Sequence, residues 1–252
     1  MKKNLKAIVS ILLIIVLVAG GYVANMFGVL NKGNYGEYSL KNTALNEDSH
    51  LKGKTVIFLG SSVTFGYGSF GVSFADYVEK TDGIIAVKEA VSGTTLVDVK
   101  SNSYVSRMKN IDKNIQADAF VCQLSTNDAT KEMTLGEISD SFNLNDFDTQ
   151  TIAGAIEYII AFAKDTWDCP VVFYTQAKYD SEHYGAMVDL LLKIQKKWGI
   201  TVIDFWNDEE FNNITNEQKN IYLIDHIHPT KAGYKEWWLP VFQETLNEVI
   251  DN

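Results

Sequence analysis

Apolar and polar residues follow two alternating patterns along most of the chain. From residue 54 onward, short apolar runs typical of buried strands alternate with longer segments whose apolar residues recur at helical spacing. The predicted strands are Thr55–Leu59, Ile84–Glu89, Ala119–Leu124, Val171–Thr175 and Thr201–Phe205. The predicted helices are Phe70–Lys80, Tyr104–Asn114, Thr151–Lys164, Tyr184–Trp198 and Lys231–Ile250. This alternation predicts an α/β fold, a three-layer α/β/α sandwich around a mostly parallel, flavodoxin-like sheet of about five strands.

The N-terminus has a different pattern, a single long apolar run behind three lysines. The run from Ala7 to Ala24 contains 18 uncharged residues, and no charge follows until Lys32. A secretory signal has an apolar core of roughly 7–15 residues, whereas a membrane-spanning helix needs about 20. We therefore expect residues 1–31 to anchor the chain in the membrane, with the N-terminus in the cytoplasm and the body outside. Cleavage near Val18 to Gly20, which would release a secreted protein, stays open.

A polar segment and one globular domain follow the apolar run. Residues 32–52 are rich in Asn, Lys and Glu and are predicted to form a stalk, whereas residues 53–252 contain neither a repeat nor a second domain. The formal net charge of the chain is −10, although three lysines lie within its first six residues. Because an acidic body repels phosphate backbones, we expect no nucleic-acid partner.

The two cysteines, Cys122 and Cys169, lie in or beside apolar, strand-like segments. Two buried free thiols are the simpler interpretation, since free cysteine is commonly buried. An exported protein could instead pair them in a disulfide, so both states stay open from the sequence. Neither cysteine has a CxxC partner, which leaves a zinc or thioredoxin-like role without support.

Polar clusters follow the predicted strands, at the sheet edge where functional groups of parallel sheets gather. Ser61 and Ser62 come directly after the first strand. Gly93 follows the second strand and Asn127 follows the third. A fourth cluster, DHIHPT at residues 225–230, precedes the last predicted helix. Each cluster alone is ordinary turn composition, but the four together predict a site at one edge of the sheet.

In order and placement these clusters resemble the sequence blocks of the SGNH/GDSL hydrolases, over roughly Lys54 to Ile250. The matching stretches are Gly60–Gly66, Gly93, Ser125–Asp128 and Asp225–His228. Two positions depart from the usual pattern, because Ser61 stands where Asp is usual and Ser125 where Gly is usual. The resemblance implies a serine esterase, and we expect it to need no metal or other cofactor.

The chemistry of such an enzyme also follows from the residue types. A serine hydroxyl is a poor nucleophile until a base takes its proton, and His228 is the candidate base for Ser62. Asp225, three residues before His228, can hold the other ring nitrogen and fix the tautomer. The resemblance implies an oxyanion hole formed by the backbone N–H groups of Ser62 and Gly93 and by the side-chain amide of Asn127.

Simpler roles exist for some of these residues. Ser62 could cap a helix, because serine favours that position. Ser61 competes as the nucleophile, although the register of the block favours Ser62. His226 could pair with His228 and Asp225 as metal ligands, but the chain has only four histidines and no HExxH motif.

The substrate is predicted less directly than the chemistry. Phe65 and Tyr67 flank the nucleophile turn and could stack on a sugar or line an acyl pocket. Residues 133–149 form either a rim over the site or an ordinary surface excursion. We expect a small-molecule or glycan ester as substrate, with O-acetyl groups on carbohydrate favoured by an exported location. An O-acyltransferase with the same triad and a non-catalytic surface binding module are the alternatives.

Overall fold

The computed structural model describes the backbone of residues 2–250 and the side chains of residues 12–250. Among these residues, five parallel strands form a sheet in the order β2–β1–β3–β4–β5. The strands are β1 (Thr55–Gly60), β2 (Ile85–Ala90), β3 (Ala119–Gln123), β4 (Val171–Tyr174) and β5 (Thr201–Ile203). The predicted α/β fold with a five-stranded parallel sheet is confirmed.

Helices connect the strands and cover both faces of the sheet. The α-helices are α1 (Lys2–Met26), α2 (Ser62–Phe65), α3 (Phe74–Asp82), α4 (Tyr104–Met108), α5 (Thr126–Thr130), α6 (Ile152–Trp167), α7 (Glu182–Trp198), α8 (Glu209–Asn212), α9 (Asn216–Tyr222) and α10 (Leu239–Ile250). A π-helical segment, Gly233–Trp238, leads into α10. Short 3₁₀ turns lie at Lys32–Asn34, Gly36–Tyr38, Leu40–Asn42, Tyr67–Ser69 and Leu144–Asp146.

Alternate side chains of each strand enter two separate cores, as the period of two along a strand requires. Ile57 and Leu59 of β1 lie in the core beneath α4, α6 and α7. Val56 and Phe58 lie in the other core, beneath α3, the π-helical segment and α10. Helices on both faces explain why the central strands are apolar throughout and not alternating.

Some element ends differ from the sequence prediction for local reasons. Helix α3 begins at Phe74 and not at Phe70, because Phe70 and Gly71 have φ angles of 62° and 81°, which a right-handed helix excludes. The backbone N–H of Ser73 instead donates to the Asp76 carboxylate at 2.6 Å and fixes the first turn. The thiols of both cysteines are free and buried, so the disulfide alternative is wrong.

The N-terminal part of the chain reaches the body and contacts it. Among the described residues, no helix meets the length and hydropathy that crossing a membrane requires. The side chains of the N-terminal lysines and the first part of the apolar run lie outside those described. In the segment predicted as a stalk, Asn34 and Leu51 are buried against the body. The domain boundaries drawn from the sequence stay predictions.

Candidate active site

The nucleophile candidate lies where β1 ends at the carboxyl edge of the sheet. Ser62 is the first residue of α2, and Ser61 is its N-cap. The Ser62 side chain reaches the surface at 7% exposure, whereas Ser61 is fully buried. A substrate can therefore approach Ser62 but not Ser61. This difference favours Ser62 over its neighbour as the nucleophile.

A short loop carries the two other predicted catalytic residues, and its ends are joined to each other. Leu223 and Pro229 form an isolated antiparallel bridge. Within the loop, the backbone N–H of Ile224 donates to the carbonyl of His228 at 3.0 Å. Residues 223–230, hereafter the histidine loop, are thus a closed unit whose shape fixes where its side chains lie.

Hydrogen bonds join Asp225, His228 and Ser62 in one chain. The Asp225 Oδ2 atom lies 2.7 Å from His228 Nδ1, and His228 Nε2 lies 2.8 Å from Ser62 Oγ. The other carboxylate oxygen of Asp225 accepts the backbone N–H groups of Ile227 and His228, each at 2.8 Å. A proton on Nδ1, held by the carboxylate, leaves the Nε2 lone pair free to accept the serine proton.

The charge of Asp225 is stabilised by its surroundings. Partial burial raises the pKa of this carboxyl, but the hydrogen bond and charge of His228 and the two backbone N–H groups outweigh that effect. The pKa of Asp225 is therefore lowered from its ordinary value. The carboxylate stays ionised and can stabilise an imidazolium at His228.

The predicted oxyanion donors lie beside this chain of hydrogen bonds. Gly93 has a φ of +80°, and a Cβ placed there would meet nothing within 4 Å. Its backbone conformation, and not lack of space, favours glycine at this position. The Asn127 Nδ2 atom donates to Ser61 Oγ at 3.2 Å and to the Thr94 carbonyl at 3.0 Å. Ser125, the other departure from the family pattern, is the N-cap of α5 and accepts the Asn127 backbone N–H.

Two residues that the sequence analysis did not single out, Asp128 and Arg107, bond residues 91–97, the loop after β2 that carries Gly93. The Asp128 carboxylate accepts the backbone N–H groups of Leu96 at 2.8 Å and Val97 at 3.1 Å, and burial raises the pKa of Asp128. Arg107, buried to 7% exposure, donates to the Gly60 carbonyl at 2.7 Å and to Thr94 Oγ1 at 3.1 Å. Arg107 is the only arginine in the chain, and that rarity was a signal in the sequence.

These groups surround an open cavity of about 480 Å³. Ser62, Gly93, Asn127, Asp225 and His228 all line it. Tyr67 also lines it, with its ring centroid 4.9 Å from the His228 ring. The end of α1 contributes another part of the wall through Tyr22, Asn25 and Met26. A wider groove of about 790 Å³ elsewhere on the surface, near Lys178 and Glu209, contains none of the predicted site residues.

Other residues considered in the sequence lie away from the cavity. Phe65 is 41% exposed and does not line the cavity. The His226 ring lies beside the Tyr179 ring, tilted by 43° with 5.8 Å between centroids. A further histidine, His183, has its Nε2 atom 2.9 Å from the Met133 carbonyl. Within the described part of the chain, no group of three or more His, Cys, Asp or Glu residues is placed to hold a metal ion.

The segment 133–149 packs beside the core and not over the cavity. Met133, Leu135, Ile138 and Leu144 contact the core beneath α6 and α7. None of the residues in this segment lines the cavity around Ser62. The surface-excursion alternative therefore describes the segment better than a rim over the site.

Solved structures similar to this chain share its fold at low sequence identity. A protein from Lactobacillus plantarum is 19% identical with a TM-score of 0.64, over 80% of this chain and 98% of that one. A member of the lipolytic protein G-D-S-L family from Veillonella parvula is 16% identical with a TM-score of 0.54, over 76% of this chain and 96% of that one. A family two carbohydrate esterase from Clostridium thermocellum, solved in complex with cellohexaose, is 12% identical with a TM-score of 0.54, over 77% of this chain and 64% of that one.

Sequence comparison identifies the family directly. No curated protein matches the chain. The family model of the GDSL-like lipase/acylhydrolases matches residues 56–239, which include all five strands except the first residue of β1, together with the whole histidine loop. The chain therefore belongs to the GDSL-like lipase/acylhydrolase family and is an ester hydrolase.

Proposed function

We propose that this protein is an extracytoplasmic serine esterase that removes acyl groups, above all O-acetyl groups, from carbohydrate. One observation carries the catalytic part of the proposal. The side chains of Asp225, His228 and Ser62 form a continuous chain of hydrogen bonds of 2.7 Å and 2.8 Å that ends at an accessible hydroxyl. A binding module has no need of such an arrangement.

The proposed reaction proceeds in two steps with Ser62 as nucleophile. Ser62 Oγ attacks the ester carbonyl carbon while His228 Nε2 takes the hydroxyl proton, and the imidazolium returns that proton to the leaving alcohol. Water, losing a proton to His228, then attacks the acyl carbon, and the imidazolium returns that proton to Ser62 Oγ as the carboxylic acid leaves. The Ser62 and Gly93 N–H groups and the Asn127 amide stabilise the oxyanion in both steps.

Two features support a carbohydrate ester as substrate. The cavity is open to the surface, and Tyr22 and Tyr67 present aromatic rings at its wall. Aromatic rings of this kind offer flat apolar faces with a polar tip, which suits a sugar. The structurally similar esterase from Clostridium thermocellum was solved with cellohexaose bound.

The location outside the membrane is proposed from the N-terminal sequence and from α1. The lysines and the apolar run predict an anchor with its N-terminus in the cytoplasm. Apolar side chains from Leu12 to Val18 are 56–72% exposed, so the body does not cover them. A lipid environment would remove that apolar surface from water.

Hydrolysis of p-nitrophenyl esters of increasing chain length by the full-length protein tests the proposed function. We expect turnover of the acetate, a decline with longer acyl chains, and release of acetate from O-acetylated oligosaccharides. Ser62→Ala should abolish turnover, whereas Ser61→Ala should retain most of it. Loss of activity in Ser61→Ala alone, or no hydrolysis by the wild type, contradicts the proposal.

Adding a free sugar to the same assay separates hydrolysis from acyl transfer. An esterase should release acetate at an unchanged rate, because water remains the acceptor. Accumulation of acetylated sugar at the expense of free acetate would instead identify an O-acyltransferase with the same triad.

A further inference from the structure

The chain segment between α1 and the body lies across the histidine loop. At Gly33, a Cβ would lie 2.1 Å from the Ile221 carbonyl oxygen, so the two backbones are in direct contact. The Asn31 side chain donates to the carbonyls of Asn220 and Leu223, each at 3.0 Å. The segment Gly28–Asn34, hereafter the crossing segment, is therefore fixed to the start of the histidine loop. It precedes the family match, which begins at residue 56.

Asn34 is the residue of the crossing segment with the most distant contacts. Its side chain is 1% exposed, and its Nδ2 atom donates to the Gly28 carbonyl at 2.9 Å and to the Gly68 carbonyl at 2.8 Å. Its Oδ1 atom accepts the backbone N–H of Lys231 at 2.9 Å. Gly68 belongs to residues 62–69, the turn that begins at Ser62 (hereafter the nucleophile turn), and Lys231 directly follows the histidine loop. One buried amide thus bonds both sides of the catalytic hydrogen-bond chain.

The two loops joined by Asn34 also touch each other at the active site. A Cβ at Gly68 would lie 2.6 Å from the Pro229 carbonyl oxygen and 3.1 Å from that of His228. Beside this contact, the Tyr67 ring lies against the His228 ring. The distance between Ser62 and His228 therefore depends on how the nucleophile turn and the histidine loop are held together, and Asn34 bonds both.

We propose that Asn34 is a positioning residue that holds the histidine loop against the nucleophile turn, so that His228 stays within hydrogen-bond distance of Ser62. The inference rests on the proposed function, because it takes His228 as the base for Ser62. Asn34 touches neither the substrate nor the reacting atoms. Its loss acts through the placement of His228.

Kinetics of full-length Asn34→Ala and Asn34→Asp with p-nitrophenyl acetate test this role. The first variant removes all three hydrogen bonds, and the second keeps the side-chain volume and the acceptor for Lys231 but loses the donors. We expect kcat to fall by about 10- to 100-fold in both variants with KM changed less than threefold, since a displacement near 1 Å can cost about 100-fold. Circular dichroism fixes an assay temperature at which each variant is folded.

Asn42→Ala is the matched control. Asn42 is exposed and lies in the same stretch of 3₁₀ turns, and its side chain donates only to the nearby Gly36 carbonyl at 2.7 Å. It should keep wild-type kcat. Wild-type kcat in a folded Asn34→Ala variant, or an equal loss in Asn42→Ala, would overturn the inference.

A double-mutant cycle separates positioning from a general structural defect. If Asn34 acts through His228, then Asn34→Ala should cost no further activity in a His228→Ala background. A further loss equal to that in the wild-type background would mean that Asn34 does not act through His228, which also overturns the inference. Full activity of His228→Ala or Ser62→Ala would instead contradict the proposed function, so the two failures are distinguishable.

Discussion

Asp225 couples the proposed chemistry to the stability of the fold at acid pH. Because its pKa is lowered in the folded protein, the unfolded chain binds its proton more tightly. The carboxylate therefore stabilises the fold above the ordinary aspartate pKa of about 3.9, and this contribution is lost as pH falls through the folded-state value. The side chain is 40% exposed, so solvent screening keeps the effect small.

Replacing Asp225 with asparagine should affect turnover and acid stability in different ways. We expect kcat to drop by roughly 10³- to 10⁴-fold at pH 7, because the amide no longer holds the correct tautomer of His228. The difference in Tm between pH 7 and pH 3 should shrink relative to the wild type. Asp165→Asn, at an exposed position on α6, is the control and should change neither quantity. If Asp225→Asn showed the same Tm difference between pH 7 and pH 3 as the wild type, the proposed link between Asp225 ionisation and acid stability would be contradicted.

Asn127 is the predicted side-chain donor to the oxyanion, and its role is separable from that of the triad. Asn127→Ala should lower kcat by about 10²- to 10³-fold, the usual loss for one oxyanion donor. The variant also gives up its hydrogen bonds to Ser61 and Thr94, which should cost about 1 kcal/mol in unfolding free energy. Asn110→Ala, at an exposed position just after α4 whose side-chain amide donates only to the Ser106 carbonyl on that helix, should leave kcat unchanged. A change in KM alone would argue against the oxyanion role.

At the scale of elements, a buried ion pair joins α6 to α7. Glu157 on α6 is fully buried, and its Oε1 atom lies 2.6 Å from Lys197 Nζ on α7. The same oxygen accepts the Trp198 indole N–H at 3.1 Å, while Oε2 accepts the backbone N–H of Ser139 at 2.9 Å. The Glu157 carboxylate therefore ties the segment 133–149 to α6 and α7, which cover the same face of the sheet.

Removing that carboxylate should cost stability and leave the chemistry intact. Glu157→Ala leaves Lys197 without its buried partner and should lower the free energy of unfolding by about 3–5 kcal/mol. Urea denaturation measures the loss, and kcat below the unfolding range should match the wild type. Glu137→Ala, at an exposed position in the same segment, should unfold like the wild type. A loss below about 1 kcal/mol would mean that the pair contributes no more than a surface salt bridge.

Hydrophobic periodicity predicted these elements better than it predicted their ends. The strands were recognisable because both of their faces are buried, which leaves continuous apolar runs such as Val56 to Leu59. Helix α4 stops at Met108, earlier than predicted, although apolar Ile111 continues the spacing and is buried. Burial of a residue and helical backbone at that residue are separate properties, and sequence spacing reports mainly the first.

At the scale of the whole molecule, the sequence predicted residues near the strand ends and missed contacts between distant parts of the chain. Ser62, Gly93 and Asn127 were predictable because parallel strands bring their carboxyl ends to one edge. Asn34 was not predictable, because its partner Lys231 is 197 positions away in the sequence. The residues around Asn34 have an ordinary polar composition, so nothing there distinguishes it from its neighbours. Arg107 stands out in the sequence as the only arginine, but its acceptors near the site, the Gly60 carbonyl and Thr94 Oγ1, are evident only from the three-dimensional structure.

The proposed anchor predicts how the full-length protein behaves in cells. It should sediment with membranes and resist extraction by high salt or carbonate, because apolar burial is not screened by ions. Its body should be cleaved by protease added to intact cells. The double substitution Ile14→Arg and Leu17→Arg should release the chain from the membrane, since each charge at the middle of the span adds about 2.5–3.5 kcal/mol to the free energy of insertion. A soluble form beginning near Gly20 would indicate a cleaved signal instead.

The crossing segment also limits which parts of this chain are interchangeable. A graft defined by the family match would start at residue 56 and leave behind the buried Asn34 amide together with the Asn31 contacts to the histidine loop. The segment that must be transferred to keep the whole site is therefore longer than the family match, and it starts ahead of Tyr22. A leader exchanged upstream of Tyr22 keeps the cavity wall formed by Tyr22, Asn25 and Met26 as well as the Asn34 hydrogen bonds, whereas one joined at residue 56 carries the proposed triad without either.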